Sequence, residues 1–168
     1  NVEVIEGDIL KIHPVIRQGA PSDDGANYKV VANIPYYLTS PLIRQFLEAE
    51  NKPEFMVLML QKEVAQRICS SPPDMSLLAV SVQFYATAKI VSIVSKGCFW
   101  PSPKIDSAII KITPFPASFQ RKRESSEFNN LFFKVVKAGF IQPRKQLAGN
   151  LSKVLKIGRK ETEEWLTK

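Results

Sequence analysis

The sequence is short of the residues on which most metal and nucleophile chemistry depends. Its one histidine, His13, leaves no His-based metal cluster and no second imidazole for a relay. Its two cysteines, Cys69 and Cys98, sit in apolar surroundings without metal-ligand spacing, and they read as reduced, buried thiols of a cytoplasmic protein. No apolar run reaches the ~18 residues that a membrane-spanning helix requires. No signal peptide and no initiator Met stand before Asn1-Val2-Glu3-Val4, which begins directly in a strand-like alternation. The expectation is a piece cut from a longer, cytoplasmic, monomeric protein with no metal and no membrane contact. With 45% apolar and 10% aromatic residues, wholesale disorder is excluded.

Acidic residues are scarce in one part of the chain only. Residues 1–100 carry 9 basic and 10 acidic side chains, whereas residues 101–168 carry 14 basic and 6 acidic ones. The whole net charge of +7 therefore comes from the C-terminal part. A surface of this kind faces a polyanion, nucleic acid before anionic membrane, or is simply a solvated basic face. Arg121, Lys122, Arg123, Arg144, Lys145, Lys153, Lys156, Arg159 and Lys160 supply the density, and the later ones fall at spacings that can share a helical face.

Period-two alternation predicts a strand at 2–6, ending at Gly7-Asp8, and a buried strand at 28–32 after a polar loop at 17–27. Thr39 or Ser40 is placed to cap a helix with Pro41 in its first turn and Leu42, Ile43, Phe46 and Leu47 on one face. The continuous apolar run 54–60 reads as a central parallel strand. Helices follow at 61–69 and 76–86, strands at 88–95 and 106–113, with a Pro-rich loop at 97–104 between the strands. From 124 onward the spacing is helical. The expected class is α/β, with a boundary near 115–120 dividing a core (1–115) from a small, basic, all-helical unit (116–168).

Two segments carry recognisable chemistry. Asn33-Ile34-Pro35-Tyr36 lies at the C-terminal end of a predicted buried strand, the edge where open α/β sheets place ligands. The exocyclic amine of adenine is a poor nucleophile because its lone pair is delocalised into the ring. The Asn33 side-chain oxygen and a backbone carbonyl near Pro35 can accept its two hydrogens and favour the pyramidal geometry of attack. Pro35 stiffens the turn, and Tyr36 offers a face for a stacked base. Phe99-Trp100-Pro101-Ser102-Pro103-Lys104-Ile105-Asp106-Ser107 adds aromatics and a lysine on a stiff loop, a second wall against which a flipped base can be sandwiched. Bland alternatives remain for both: an Asn-Pro turn after a strand, and a hairpin whose Phe99 and Trp100 plug the core. Asp8 can bond a ligand amine or hydroxyl, or merely cap a turn.

Taken in order, several segments resemble the ribosomal RNA adenine dimethyltransferases, with the erythromycin-resistance rRNA methyltransferases as near relatives. They are Glu6–Leu10, Val31–Tyr36, Met59–Arg67, Phe99–Ala108 and Ala138–Leu147. The resemblance implies a Rossmann-like methyltransferase core followed by a small all-α domain, and S-adenosylmethionine as methyl donor. It also implies ribosomal RNA of the small subunit as partner. By that resemblance Asp8 and the Ile9 amide hold the cofactor's adenine, and Asn33 lies between the cofactor and the target amine. Asn33, Pro35, Tyr36 and Phe99 form the catalytic end, with Tyr36 and Phe99 flanking the target base. Lys104, Arg144 and Lys145 contact RNA.

The chain departs from the family pattern in two respects. The Gly-rich cofactor loop and the acidic residue that holds the ribose are absent, so this chain alone is expected to bind cofactor weakly and to be inactive. The loop at 17–27 is long, and Asp74-Met75 stands where a Tyr-Gly pair is common. Two other readings stay open: a resistance methyltransferase acting on large-subunit RNA, and a non-catalytic RNA-binding module. DNA amino-methyltransferases share a related Asn-Pro-Pro-Tyr turn but none of the other segments.

Overall fold

A computed structural model describes residues 2, 4–11, 28–116, 126–142 and 145–167. Its centre is a four-stranded sheet in the order β1-β2-β4-β3, formed by β1 (Lys29–Asn33), β2 (Phe55–Gln61), β3 (Ala86–Val94) and β4 (Ser107–Pro114). β1 and β2 run parallel, while β4 is antiparallel to both β2 and β3. β2 is the apolar run expected at 54–60. Met56, Leu58 and Leu60 on its inner face are almost completely buried, and Ile110 and Ile112 of β4 join them. Phe55, Val57 and Met59 on the other face are half-buried, so the continuous apolar run reflects full cover on one face and partial cover on the other, and the strand is parallel only on its β1 side.

The parallel pair β1–β2 needs a crossover, and α1 (Thr39–Glu48) supplies it. α1 buries Leu42, Ile43, Phe46 and Leu47, the predicted stripe. Its start differs from expectation. A single 3-10 turn, Tyr36–Leu38, leads into it, Leu38 occupies the cap position, and no side chain bonds the first amides. Thr39 is instead the first helical residue and is buried. The 3-10 turn satisfies amides that a capping side chain would otherwise serve: Leu38 N–H donates to the Pro35 carbonyl at 2.9 Å.

α2 (Lys62–Ile68) and α3 (Leu77–Gln83) follow β2. Ser76 caps α3 through its side chain, which accepts the Ala79 amide at 3.1 Å. The Gln83 amide donates to the carbonyls of Ile68 and Ser70 at 2.9 and 2.8 Å, closing the end of α2. α3 is shorter than the helix expected at 76–86, because β3 already begins at Ala86.

Beyond the sheet lie α4 (Ser126–Phe140), α5 (Leu147–Leu155) and α6 (Arg159–Leu166). Aromatic rings fasten α4 to the core. Phe84 stacks on Phe132 at 4.3 Å between centroids and meets Phe133 edge-on at 5.3 Å, while Tyr85 lies 5.9 Å from Phe133.

Three expectations fail. Residues 2 and 4–6 form no strand, and Val4 is 90% exposed. Alternation makes a strand only where a neighbour accepts its hydrogen bonds and covers its apolar face, and among the described residues β1 pairs on its β2 side alone. The outer edge leaves Val31 78% exposed. The thiols are not both buried: Cys69 is half-buried, with its pKa pushed up by burial, but Cys98 is exposed. The basic residues from Lys153 to Lys160 do not share one helical face either. Lys156 takes a left-handed conformation (φ 57°) that ends α5, so Arg159 and Lys160 belong to α6. The loop at 17–27 and the Arg121–Arg123 run lie outside the described residues.

Candidate active site and nucleic-acid interface

The parallel ladder of β1 and β2 continues one step past β1, where Ile34 N–H donates to the Met59 carbonyl at 3.3 Å. That bond holds the Asn33–Tyr36 turn at the C-terminal edge of the sheet. Ile34 is buried and anchors the turn from beneath, while Asn33 and Pro35 are exposed and Tyr36 is 44% exposed. The Pro35 carbonyl already accepts the Leu38 amide, so it keeps one lone pair for a ligand.

Because β4 is antiparallel to β2, the loop that precedes β4 opens at this same edge, with Ser107 paired to Gln61. Asn33, Ile34, Pro35, Tyr36 and Met59 from one side, with Phe99, Trp100, Pro101, Pro103 and Ser107 from the other, line a cavity of about 390 Å³. The structure thus brings Asn33, Pro35, Tyr36 and Phe99 together. A cavity of this size with one amide and three rings on its walls matches a planar heterocycle bearing hydrogen-bonding edges. Phe99 is half-buried, and Trp100 is 98% exposed. Trp100 is therefore not a plug of the core, because its side chain faces water at the mouth of the cavity.

The loop carrying these aromatics is braced by Asp106, whose role sequence reasoning missed. One Asp106 oxygen accepts the Lys96 amide at 3.1 Å, the other lies 3.6 Å from Lys62 Nζ, and the Asp106 carbonyl accepts the Lys62 amide at 3.1 Å. Ser102 Oγ donates to the Lys96 carbonyl at 3.0 Å. The Lys96 hydrogen bond first, then the Lys62 charge, hold the Asp106 carboxyl below the usual aspartate range. Asp106 was legible only as part of the Pro-Lys-Ile-Asp-Ser run, and no spacing rule signals such a clamp. Lys104 lies on the other flank of this loop, where Lys62, Glu63, Gln66, Lys96, Ile105 and Asp106 share a second concavity of about 430 Å³ with it.

Asp8 and Ile9 do not line the cavity around Asn33. Asp8 Oδ1 accepts the Leu10 amide at 3.0 Å, as a turn-capping Asp does, and Oδ2 lies 3.9 Å from Lys11 Nζ. The Ile9 carbonyl accepts Gln45 from α1 at 3.5 Å, which ties this segment to the helix behind the Asn33 turn. The Asp8 side chain is half-exposed. Its second oxygen can still offer an acceptor to an exocyclic amine, and the Asn33 amide can do so separately, within the cavity. At these two points the residues fit the chemistry of an adenosyl sulfonium compound.

Lys145 is exposed on the turn between α4 and α5, and its amide donates to the Gln142 carbonyl at 2.9 Å. Arg144 lies outside the described residues. Asn150, on α5, holds this turn from below: buried, it donates from Nδ2 to the Gln142 carbonyl at 3.1 Å. Arg159 closes the other side, donating to Gln146 Oε1 at 2.6 Å and to Glu163 Oε1 at 2.9 Å. An Asn within a helix is a local misfit in sequence, and that misfit was the available signal for Asn150.

Comparison with known proteins agrees with this geometry. The family described as "Ribosomal RNA adenine dimethylase" matches residues 1–167. "Ribosomal RNA small subunit methyltransferase A" of Dehalococcoides mccartyi (strain ATCC BAA-2266 / KCTC 15142 / 195) is 44% identical over 162 residues, which cover 95% of this chain and 52% of that protein. The protein of the same name from Geobacillus thermodenitrificans is 37% identical over 168 residues, covering 98% and 55%. The chain thus spans about half the length of the curated relatives it matches. Among solved structures, a dimethyladenosine transferase from Plasmodium falciparum superposes with a TM-score of 0.72 at 29% identity, covering 98% of this chain and 56% of that one. The 23S rRNA methyltransferase ErmE shares the fold, with a TM-score of 0.63 at 23% identity, over 91% of this chain and 57% of its own. The mixed sheet and its helices are the methyltransferase fold of these structures, and the chain belongs to the ribosomal RNA adenine dimethylase family.

Proposed function

We propose that this chain carries the target-base end of an enzyme that dimethylates the exocyclic amine of adenines in small-subunit ribosomal RNA, with S-adenosylmethionine as donor. The observation that carries the reading is the shared cavity, which the Asn33–Tyr36 turn lines on one side and Phe99 and Trp100 on the other. The donor, when bound, supplies a methyl on a positively charged sulfur, a strong electrophile that needs no metal and no strong base. Asp8 and the Ile9 amide would hold its adenine edge, and Asn33 would meet its reactive end. Asn33 accepts a hydrogen from the target amine as charge develops on the nitrogen. Tyr36 and Phe99 hold the adenine ring, and their apolar faces exclude water from the reacting nitrogen.

The C-terminal basic part fits a grip on phosphates. Lys104, Arg144 and Lys145 are the RNA contacts in this reading, which divides the chain into a core (1–115) and a helical RNA-binding unit (116–168). The names of the Dehalococcoides and Geobacillus relatives support the small ribosomal subunit as partner. A cytoplasmic monomer is the corresponding expectation, and no helix among the described residues is long and apolar enough to cross a membrane.

The test is methyl incorporation from labelled donor into small-subunit and large-subunit RNA, by a chain extended to the relatives' full length. Small-subunit RNA is the expected acceptor. Asn33→Ala should lower the rate at saturating RNA by about 10²–10³-fold and leave RNA affinity nearly unchanged. Equal losses in both would make Asn33 a structural turn residue. Transfer to large-subunit RNA alone would move the activity to the resistance enzymes.

A further inference from the structure

We propose that Trp100, on the rim of the cavity, is a second stacking platform, for the nucleobase next to the one that the cavity receives. This rests on the reading above and deepens it. Trp100 is 98% exposed, the highest exposure among the large apolar side chains of the described residues. A single exposed apolar side chain is ordinary by itself, but an indole this open at the mouth of an aromatic cavity offers a whole ring face for a ligand to cover. The loop beneath it is braced at several points: Cys98 and Phe99 amides donate to Ser95 and Lys96 carbonyls at 3.0 and 3.3 Å, Ser102 bonds the Lys96 carbonyl, and Asp106 bonds the Lys96 amide. Pro101 and Pro103 restrict the backbone on its far side. The indole is thus presented on a stiff support, so little ordering is left for the moment of binding.

The occupant follows from what surrounds it. On one flank of Trp100 is the cavity with Tyr36 and Phe99; on the other flank of the same loop are Lys62, Lys96 and Lys104. Glu63 and Asp106 share that flank, and Lys62 is paired with Asp106, so Lys96 and Lys104 give it its positive excess. A ring-stacking surface between an aromatic cavity and these ammonium groups matches a polynucleotide, whose bases and phosphates alternate along one strand. A strand with one base turned into the cavity leaves the adjacent base unstacked, and Trp100 offers that base a replacement for its lost neighbour.

The chain holds two tryptophans, Trp100 and Trp165, so Trp165→Phe leaves Trp100 as the sole tryptophan, which is excited selectively at the red edge of the absorption band. Trp100 emission in this 168-residue variant is followed on addition of short oligoadenylate RNA, then of inorganic polyphosphate, which has the charge without the bases. The expected result is quenching by the RNA and not by polyphosphate. Trp100→Ala should weaken RNA binding about tenfold with an unchanged salt slope, and Trp100→Phe should recover most of the loss. Binding of RNA with unaltered Trp100 emission, or equal affinity of Trp100→Ala, overturns the platform and leaves the cavity reading standing. No RNA binding at any salt concentration overturns both. A concentration-dependent blue shift without RNA would mean that a second copy covers Trp100, and a blue shift with anionic vesicles alone would mean a lipid surface; either overturns the proposal.

Discussion

Lys62 and Asp106 meet 3.6 Å apart where the start of α2 approaches the start of β4. The pair spans the gap between the parallel half of the sheet and its hairpin. The same carboxylate holds the Lys96 amide, so one side chain fixes both ends of the aromatic loop. Asp106→Ala should release the loop, and Asp106→Asn should keep the Lys96 bond while losing the charge. Hydrogen exchange at the Lys96 amide checks this, with fast exchange in the alanine variant and intermediate exchange in the asparagine one. The Asp106 carboxyl titrates below its ordinary value, so the folded state favours its ionised form. Its contribution is complete above about pH 4 and is lost as pH falls through the lowered folded value. Protection of the Lys96 amide that survives well below that pH would remove Asp106 from the account.

Phe84→Ala should be strongly destabilising. The side chain is buried and touches Tyr85, Phe132 and Phe133, the rings that join α3 to α4. A loss of about 3–5 kcal/mol is typical of a buried Phe truncated to Ala, and thermal unfolding measures it. In a double-mutant cycle with Phe132, a coupling of about 0.5–1.5 kcal/mol is expected beyond the area lost. Additive effects would show that the two rings share a space without interacting.

The turn after α4 depends on Asn150. Removing its amide takes the 3.1 Å donor from the Gln142 carbonyl, which keeps the Lys145 amide, and a lost hydrogen bond of this kind costs roughly 0.5–1.5 kcal/mol. Asn150→Ala should therefore lower the melting temperature and loosen the segment that carries Lys145. Lys145→Gln, at an exposed position, should leave melting unchanged and flatten the salt dependence of RNA binding by about one unit of slope. An unchanged slope in Lys145→Gln would mean that this turn faces solvent and not RNA.

The 168-residue chain should bind S-adenosylmethionine weakly. Asp8 spends one oxygen on the Leu10 amide, and neither Asp8 nor Ile9 lines the cavity that holds Asn33. Contacts that do not converge give little affinity. Calorimetry should show no saturable heat at micromolar chain and millimolar ligand; a clear isotherm would place the cofactor contacts on other residues.

Local pattern decided most of the fold. β2 is readable because a central strand with one face buried and the other half-covered is apolar from Phe55 to Leu60, and α1 because its buried stripe follows the helical period. The Asn33–Tyr36 turn was legible because Asn33 and Pro35 are unusual together at the end of an apolar strand. What stayed hidden depended on partners distant in sequence. Residues 2–6 alternate perfectly well, yet no described strand pairs with them. Trp100 is apolar and sits by two prolines, which reads equally as plug or platform until the direction of its side chain is known. Asp106 and Asn150 act through single hydrogen bonds to backbone groups in other segments, and a one-dimensional pattern carries no trace of such bonds.

The reversal of chain direction at β4 also bears on how such proteins diversify. The hairpin of β3 and β4 carries the aromatic loop, while the Asn33 turn rises from the parallel pair. The Asn33 turn and the aromatic loop thus come from separate stretches of sequence that meet at one rim. Lengthening a surface loop is thermodynamically mild, about 0.6 kcal/mol for each doubling. With Phe99 and Ser102 kept in place, the tip of this loop can therefore be lengthened while the ladder that seats Asn33 stays in register. For an engineer, that hairpin tip is a cassette: a place to change what the rim touches without disturbing the Asn33 turn.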